Sequence, residues 1–217
     1  MSSTTYIPAL KYRVLSRYYD PVIRLTCREK TFKSKLLEQI PPGGRYTILD
    51  VGCGTGTLTA WVKERFPNAS VIGIDADEAV LAMAREKFGK RGLAIETSVG
   101  YAQHLPFEDR RFDVVLSSFL LHHLPTTQKE AALREIARVL KPGGSFYLAD
   151  WDRPQNVPMR IAFFFVRLFD GFENTRAHAR GEMTERIQEA GFGEVSRTHR
   201  YMTVFGTLSL WTALSSR

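Results

Sequence analysis

The stretch Ile48-Leu49-Asp50-Val51-Gly52-Cys53-Gly54-Thr55-Gly56 decides how this chain folds. Its first four residues end a run that begins at Tyr46 and is typical of a buried strand. Three alternating glycines follow, and a helical pattern of apolar residues begins at Leu58. Glycine lets the backbone turn sharply and leaves room for a ligand where a side chain would collide. The stretch therefore predicts a strand, a ligand-binding turn and a helix.

Short β-branched runs alternate with longer helical patterns along the rest of the chain, which predicts a parallel sheet with crossover helices. The predicted strands cover residues 46–51, 71–75, 93–98, 112–117, 145–150, 194–203 and 205–213, the last two forming a terminal antiparallel pair. Helices are expected over 58–66, 77–88, 156–172 and 182–190. A further helix is expected to begin at a capping box of Thr127 and Glu130, to bury Leu140 and to end at Pro142-Gly143-Gly144. We therefore predict an α/β fold with a doubly wound, mostly parallel, seven-stranded Rossmann-like sheet and an antiparallel terminal strand.

Length and composition fit one soluble globular domain, since the 217 residues are 44% hydrophobic and 24% charged. The two cysteines, Cys27 and Cys53, cannot build a disulfide framework. No apolar run is long enough to span a bilayer or to form a secretion signal. We therefore expect a cytoplasmic protein, with residues 1–45 forming a helical lid, 46–150 the ligand-binding core and 151–217 further helices and the terminal strand pair.

The residues around the glycine-rich turn limit the class of ligand that it can bind. A P-loop would need Gly-Lys-Ser/Thr after the glycines, and a dinucleotide motif would need glycine where Thr57 stands. Asp50 beside the turn disfavours a pyrophosphate and favours a cationic group. Asp75, at the end of the next strand, is placed to bind the hydroxyls of a ribose. The pattern indicates a nucleoside with a ribose, no phosphate and a positively charged end.

Four segments together resemble a known family. They are LDVGCGTG (49–56), GIDAD (73–77), LPFEDRRFDVVLSSFLLHHL (105–124) and REIARVLKPGGSFYLAD (134–150). In order and spacing they are similar to the class I S-adenosylmethionine-dependent methyltransferases, in particular the ubiquinone/menaquinone-type (methyltransferase type 11) group. The resemblance covers residues 46–150 and implies S-adenosylmethionine as cofactor and S-adenosylhomocysteine as product. No metal is expected, because the sequence has neither CxxC nor HxxxH spacing.

The resemblance also implies a set of cofactor-binding residues. They are Asp50, Gly52, Cys53, Gly54, Gly56, Asp75, Ala76, Tyr101, Ala102 and Ser117. The glycines would pack under the methionine part, Asp50 would lie near its amino group, and Asp75 would bind the ribose. Many family members carry an acid in a Gly-Asp-Ala segment that holds adenine, whereas this chain has Gly100-Tyr101-Ala102. Adenine would then meet the Ala102 backbone and the side chain of Tyr101 or Gln103.

Histidine is the side chain best suited to remove a proton near neutral pH, and His122 and His123 follow the fourth predicted strand. In related enzymes a histidine of this segment and a lid tyrosine line the acceptor site, which implies catalytic roles for His122, His123 and Tyr19. A histidine here can also pack on the adenosine, and two adjacent side chains of an extended segment face opposite ways.

The acceptor must be recognised by the variable parts of the chain. Residues 159–169 are aromatic on nearly every side, with Arg160 and Arg167 seven residues apart. Two interpretations remain open: a buried helix that roofs the pocket, or an arginine-flanked acceptor channel or peripheral membrane contact. The net charge of +7 includes an excess of nine Lys/Arg over three Asp/Glu in residues 1–47, which suits an anionic or lipid-like acceptor. A nucleic-acid acceptor is disfavoured, because Ser117-Ser118-Phe119-Leu120 stands where base-amino methyltransferases carry Asn/Asp-Pro-Pro-aromatic.

We therefore expect methyl transfer from S-adenosylmethionine to a small apolar or amphiphilic acceptor, on oxygen, nitrogen or carbon. Two alternatives from other classes remain: a non-catalytic S-adenosylmethionine-binding module or partner subunit, and a nicotinamide oxidoreductase on a similar sheet. Thr57 and the Asp50 carboxylate speak against the oxidoreductase.

Overall fold

A computed structural model describes residues 29–216 of the chain. They contain one seven-stranded sheet in the order β3-β2-β1-β4-β5-β7-β6. The strands are β1 Thr47–Val51, β2 Ser70–Asp75, β3 Glu96–Val99, β4 Phe112–Ser118, β5 Leu140–Asp152, β6 Phe192–Thr203 and β7 Gly206–Ser215. The first five strands pair in parallel, and β7 is antiparallel to both β5 and β6. The predicted mostly parallel, doubly wound sheet with an antiparallel terminal strand is confirmed.

Seven α-helices and one 3₁₀ helix lie in the described part of the chain. They are α1 Glu29–Glu38, α2 Thr57–Arg65, α3 Glu78–Lys90, the 3₁₀ helix Leu121–His123, α4 Thr126–Val139, α5 Val157–Asp170, α6 Arg176–Arg180 and α7 Met183–Glu189. The Asp77 side chain accepts a hydrogen bond from Ala79 N and caps α3, as its sequence context predicted. The Asn156 side chain caps α5 in the same way through Met159 N.

The helices cover both faces of the sheet, so that β1 is apolar on both sides. Leu49 and Val51 face one hydrophobic cluster together with α4 and α7. Ile48, one residue away, faces a second cluster that contains side chains of α1, α2 and Phe163 of α5. Because successive strand residues point to opposite faces, a buried parallel strand is a continuous apolar run. This explains why Ile48–Val51 is apolar apart from Asp50.

Two local predictions around α4 are wrong. No side chain caps this helix, which begins at Thr126 directly after Pro125, so Thr127 and Glu130 form no capping box. The helix ends at Val139, and Leu140 already belongs to β5, where it pairs with Phe112. Pairing with β4 thus extends β5 through the Pro-Gly-Gly segment, which local sequence rules assign to a helix end.

The predicted lid is described only from Glu29 onward, and Tyr19 and Cys27 lie outside the described residues. In α1, Phe32 and Leu36 are fully buried in the second cluster. Only Glu29 and Lys33 of this helix reach the cavity described below. The helix Glu29–Glu38 therefore packs on the core through these side chains.

Candidate functional site

A cavity of about 520 Å³ opens beside the carboxyl ends of β1, β2 and β4. The strand order reverses between β1 and β4, because the chain passes from β1 to β2 and β3 and then returns to the other side of β1. Doubly wound sheets bind their ligands at such a switch point. The volume lies within the range of small-molecule sites.

The glycine-rich turn forms one wall of this cavity. Gly54 has a left-handed φ of 55°, and a Cβ built on it would meet no atom within 4 Å. The loop is held in place from behind, since Gly52 N and Cys53 N both donate hydrogen bonds to Ile74 O at 2.8 and 3.0 Å. The space above Gly54 is thus open, and a ligand can approach the backbone closely there.

Asp75 holds the turn and faces the cavity. Its Oδ2 accepts a hydrogen bond from Gly54 N at 2.9 Å, and its Oδ1 accepts one from Asp77 N at 3.0 Å. Burial raises the pKa of Asp75 above its ordinary value, although both hydrogen bonds oppose the shift. Each carboxylate oxygen keeps a second lone pair, so the group can also accept two ligand hydroxyls.

Asp50 is buried at the base of the cavity. Burial raises its pKa to about 6, although the hydrogen bond from Thr59 Oγ1 and the charge of Lys33 oppose the shift. That hydrogen bond is 2.7 Å long and ends on Oδ2 of Asp50. A cationic ligand group nearby would favour the charged carboxylate and lower this pKa.

The remaining predicted cofactor residues divide into two groups. Ala76, Tyr101 and Ala102 line the cavity, as do Gly52 and Cys53. Gly56 and Ser117 do not line it. A Cβ on Gly56 would lie 2.5 Å from Cζ of Phe88, so this glycine allows α3 to pack closely. Ser117 is buried and donates a hydrogen bond to Val51 O at 2.9 Å, while the next residues, Ser118 and Phe119, reach the cavity.

Phe119 is a cavity residue that sequence reasoning missed. Its φ of 57° lies in the left-handed region, which bulky residues rarely adopt. Phe119 N donates to Ala149 O at 2.9 Å, and its ring packs edge-on against Phe32 at 5.4 Å. Backbone strain of this kind collects at functional sites. The sequence holds no local signal for it, because an aromatic residue after a strand normally continues the strand.

His122 is buried against a carboxylate. Its Nδ1 lies 2.6 Å from Oδ1 of Asp150, at the end of β5. Burial alone would lower the pKa of His122, but the charge and hydrogen bond of Asp150 outweigh it and the pKa is raised. The pKa of Asp150 is in turn held well below its usual range. Burial alone would raise this pKa, but the nearby His122 and His178 lower it by a larger amount. The two side chains form a buried, hydrogen-bonded pair, and His122 does not line the cavity.

His123 is the histidine that lines the cavity. Its Nδ1 lies 3.2 Å from Oδ1 of Asp170, the last residue of α5. Burial and the positive charge of His122 lower the pKa of His123. Asn174 donates hydrogen bonds to both His123 O and Asp170 O, at 3.0 and 2.9 Å, and so fixes the two residues together. A neutral histidine whose Nδ1 faces a carboxylate presents Nε2 as its proton acceptor.

The segment that carries both histidines is a turn of 3₁₀ helix and not an extended strand. The prediction that only one of the two histidines faces a given pocket agrees with the cavity lining. The extended conformation assumed for the segment in that prediction is wrong. The two rings lie with centroids 4.0 Å apart. One ligand atom each from His122, His123 and Asp170 falls within 4.8 Å of the others, a spacing that could also hold a metal ion.

The acidic partners of the histidines were missed by the sequence analysis. Asp150 ends a predicted strand at the ligand edge of the sheet, and this position is a usable signal. Asp170 and Asn174 lie after the aromatic helix, and nothing in the local sequence links them to His123. Their role depends on how α5 packs.

The aromatic helix α5 is not a buried roof over this cavity, since none of its residues lines it. Only Met159 and Phe163 of α5 are buried. Within the described part of the chain, no helix has the length and apolar content needed to cross a membrane.

Comparison with known proteins agrees with this geometry. Residues 48–144 match a family model described as a methyltransferase domain. A demethylmenaquinone methyltransferase of Lactobacillus johnsonii is 36% identical over 161 residues, which are 71% of this chain and 65% of that protein. An uncharacterized methyltransferase of Synechocystis is 33% identical over 203 residues, covering 88% of this chain and 90% of that one.

Solved structures share the fold. The YcgJ protein of Bacillus subtilis superimposes with a TM-score of 0.69 at 18% sequence identity, over 85% of this chain and 98% of that one. The sheet order, the glycine-rich turn at the switch point and a relative matched over nearly its whole length lead to one assignment. The chain belongs to the class I S-adenosylmethionine-dependent methyltransferases.

Proposed function

We propose that this protein transfers a methyl group from S-adenosylmethionine to a ring carbon of a hydroquinone-type acceptor with an apolar tail. The observation that carries the proposal is His123, a cavity-lining histidine with a lowered pKa and a carboxylate on its Nδ1 side. The alternatives of oxygen or nitrogen methylation and of a binding module without turnover are decided by the experiment below.

The residues of the turn fit the proposed cofactor. Asp75 has lone pairs for the two ribose hydroxyls, and Ala76 and Ala102 line the cavity beside it. Asp50 offers a carboxylate to the amino group, and the open space above Gly54 accepts the methionine part. When bound, S-adenosylmethionine supplies a methyl group on a positively charged sulfur and leaves as S-adenosylhomocysteine.

The chain's own contribution to the reaction is position and proton transfer. His123 Nε2 removes the proton from a ring hydroxyl, which raises the electron density of the neighbouring ring carbon. With the cofactor bound, that carbon would take the methyl group as the carbon–sulfur bond breaks, and its own hydrogen would leave as a proton to solvent and restore the aromatic ring. The imidazolium of His123 would then return its proton to the ring oxygen. Asp170 stabilises the imidazolium formed on His123, as a carboxylate on the other ring nitrogen does in general base catalysis.

The acceptor class rests on two supports. The Lactobacillus johnsonii relative is named a demethylmenaquinone methyltransferase, and we carry over from that name the class of a quinone-type ring. The cavity also has an apolar wall near His123, formed by Phe119, Leu120 and Leu124. A ring with an apolar tail buries its surface against such a wall.

The test is an assay of the full chain with methyl-labelled S-adenosylmethionine and a short-tailed demethylated naphthohydroquinone. We expect label in the acceptor and, by NMR of the product, a new methyl on ring carbon. The matched control is the same hydroquinone with that carbon already methylated, which should take no label. Label on the control, or on an oxygen of the product, would overturn carbon methylation.

Calorimetric titration with S-adenosylhomocysteine, combined with the turnover assay, distinguishes an enzyme from a binding module without turnover. Binding together with turnover supports an enzyme. Tight binding with no turnover of any hydroquinone tried would replace the enzyme by the binding module, and binding of NAD in its place would favour the oxidoreductase.

A further inference from the structure

Helix α5 exposes an apolar face to the surroundings. Its buried residues, Met159 and Phe163, lie one turn apart and anchor it on the sheet. Six large apolar side chains of the helix are exposed: Val157, Ile161, Phe164, Phe165, Leu168 and Phe169, which we call the α5 face. Phe169 is the most exposed of them, at 85%. A helix at a protein surface normally shows the reverse pattern, with polar residues outward.

The apolar surface continues beyond the helix. Phe172, which follows α5, is exposed and its ring lies 5.7 Å from that of Phe164. At the other end, Asn156 Nδ2 lies 3.9 Å from Sδ of Met202, which is exposed near the β6–β7 turn together with Val204. Single exposed apolar residues need no explanation, but a contiguous patch marks an interaction surface.

Arginines border this patch. The groove beside α5 contains Arg153, Arg160, Arg167, Arg176 and Arg180, and Glu173 is the one acid among its described residues. Arg167 is positioned with its guanidinium 4.8 Å from the centre of the Phe172 ring. Apolar side chains next to a row of guanidinium groups complement an interface of acyl chains and anionic headgroups.

The dimensions fit a helix that lies in the plane of a membrane surface. Fourteen residues give a helix about 21 Å long, which is too short to cross a bilayer. We propose that the α5 face docks this protein on an anionic lipid surface, with its aromatic side chains at the acyl boundary and the arginines among the headgroups. This goes beyond the proposed function and does not depend on which acceptor is methylated.

The docking helix is also joined to the cavity. Asp170 ends α5 and lies beside His123, so lipid contact along α5 places the histidine side of the cavity near the membrane. An acceptor with an apolar tail would then reach the cavity from the bilayer and not from water.

The experiment is co-sedimentation of the full chain with phosphatidylcholine vesicles, with and without phosphatidylglycerol. We expect binding to the anionic vesicles that weakens with salt. The double variant Leu168→Ser/Phe169→Ser should lower the partition coefficient about tenfold or more, since two large apolar side chains no longer enter the interface. The matched control Leu214→Ser changes an exposed leucine of β7, which is paired with Ser145 on β5. It should bind like the unchanged protein.

A second pair of variants tests the charge. Arg160→Gln/Arg176→Gln should weaken binding to anionic vesicles and reduce its salt dependence, whereas Arg134→Gln, an exposed arginine of α4, should not. Thermal unfolding and S-adenosylhomocysteine binding of each variant establish that it is folded. No binding by the unchanged protein, or equal loss in the controls, would overturn the proposal. So would a dimer in sedimentation velocity that Leu168→Ser/Phe169→Ser dissociates, because a second copy would then cover the face.

Discussion

Nδ1 of His122 lies 2.6 Å from Oδ1 of Asp150, although the two residues are 28 positions apart in the chain and both are buried. Asp150 Oδ2 also accepts hydrogen bonds from the backbone N–H groups of Leu121 and His122, at 2.9 and 3.3 Å. One carboxylate at the end of β5 therefore fixes the turn that presents His123 to the cavity. Removing this carboxylate should therefore change both the charge next to His122 and the conformation of the turn.

Asp150→Asn tests directly how the Asp150 charge acts on His122. The variant keeps the shape of the side chain and removes its charge, so burial then dominates at His122. We expect the pKa of His122 to fall from above its ordinary value to below it, measured by NMR titration of the imidazole C–H signals. Asp113→Asn, which removes the carboxylate bound by Thr47 N and Lys141 at the opposite edge, should leave this titration unchanged.

The same pair predicts a pH dependence of stability. Because the folded-state pKa of His122 is raised, its contribution is fully present below the unfolded pKa of about 6.5 and is lost as pH rises through the folded value. Across this pH window, urea unfolding should show a fall in the unfolding free energy of the unchanged protein. Asp150→Asn should show no such fall. Equal pH profiles of the unfolding free energy for the unchanged protein and for Asp150→Asn would contradict a stabilising role of the pair.

His123→Gln tests the proposed base. A positioned general base contributes about 100-fold to 10,000-fold, so kcat should fall by that factor while S-adenosylhomocysteine binding is kept. The matched control is His199→Gln, on β6 outside the cavity. Because the pKa of His123 is lowered, activity of the unchanged protein should be flat at neutral pH and fall only below about pH 6.5.

Asp170→Asn extends this test to the orienting carboxylate. The charge of Asp170 favours protonated His123, so its loss should move the acid limb of the pH–rate profile further down while lowering kcat. Glu173→Gln changes a nearby exposed acid and should leave the profile in place. A lowered kcat with an unmoved acid limb would mean that Asp170 has only a structural role.

Asp75→Ala should weaken S-adenosylhomocysteine binding about tenfold or more, since hydrogen bonds from ribose hydroxyls to a charged carboxylate are lost. Calorimetric titration measures the effect. Asp109→Ala, which removes an exposed partner of Arg138, is the control. An unchanged affinity for Asp75→Ala would refute the ribose assignment.

Two glycines of the same turn should respond differently to alanine. Both have a left-handed φ, which costs an alanine about 1–2 kcal/mol of stability. Gly54→Ala places its methyl in open space and should mainly weaken cofactor binding. Gly56→Ala drives its methyl against Phe88 and should lower the unfolding free energy well beyond that shared cost. Similar unfolding free energies for both variants would contradict this division.

The fold could be predicted because its signals are local and repeated. Apart from Asp50, the run Ile48–Val51 is apolar on both faces of β1, and the α5 pattern over 156–172 matches the helix Val157–Asp170 closely. The start of α4 and the extent of β5 could not be predicted. Pairing of Leu140 with Phe112 decides where β5 begins, and short-range rules do not see a partner so far along the chain.

The candidate site was predictable on its cofactor side and much less on its acceptor side. Asp50, Gly54 and Asp75 belong to adjoining strand ends whose order follows from the motif itself. The contact of His123 with Asp170 requires α5 to pack with Met159 and Phe163 inward. A helix that is apolar on nearly every side does not reveal which side that will be.

The order of the last strands has a consequence for folding. Within residues 29–216, β6 touches the sheet only through β7, which lies between it and β5. The short turn at Val204 and Phe205 lets these two strands form a hairpin quickly and by themselves, whereas docking on β5 must wait for the sheet. Until the β6–β7 hairpin docks, β5 is an unpaired edge of the sheet. Such an edge can pair with any free strand, including a strand from another copy of this chain. Refolding at high concentration is therefore expected to produce strand-exchanged assemblies at this edge before any other.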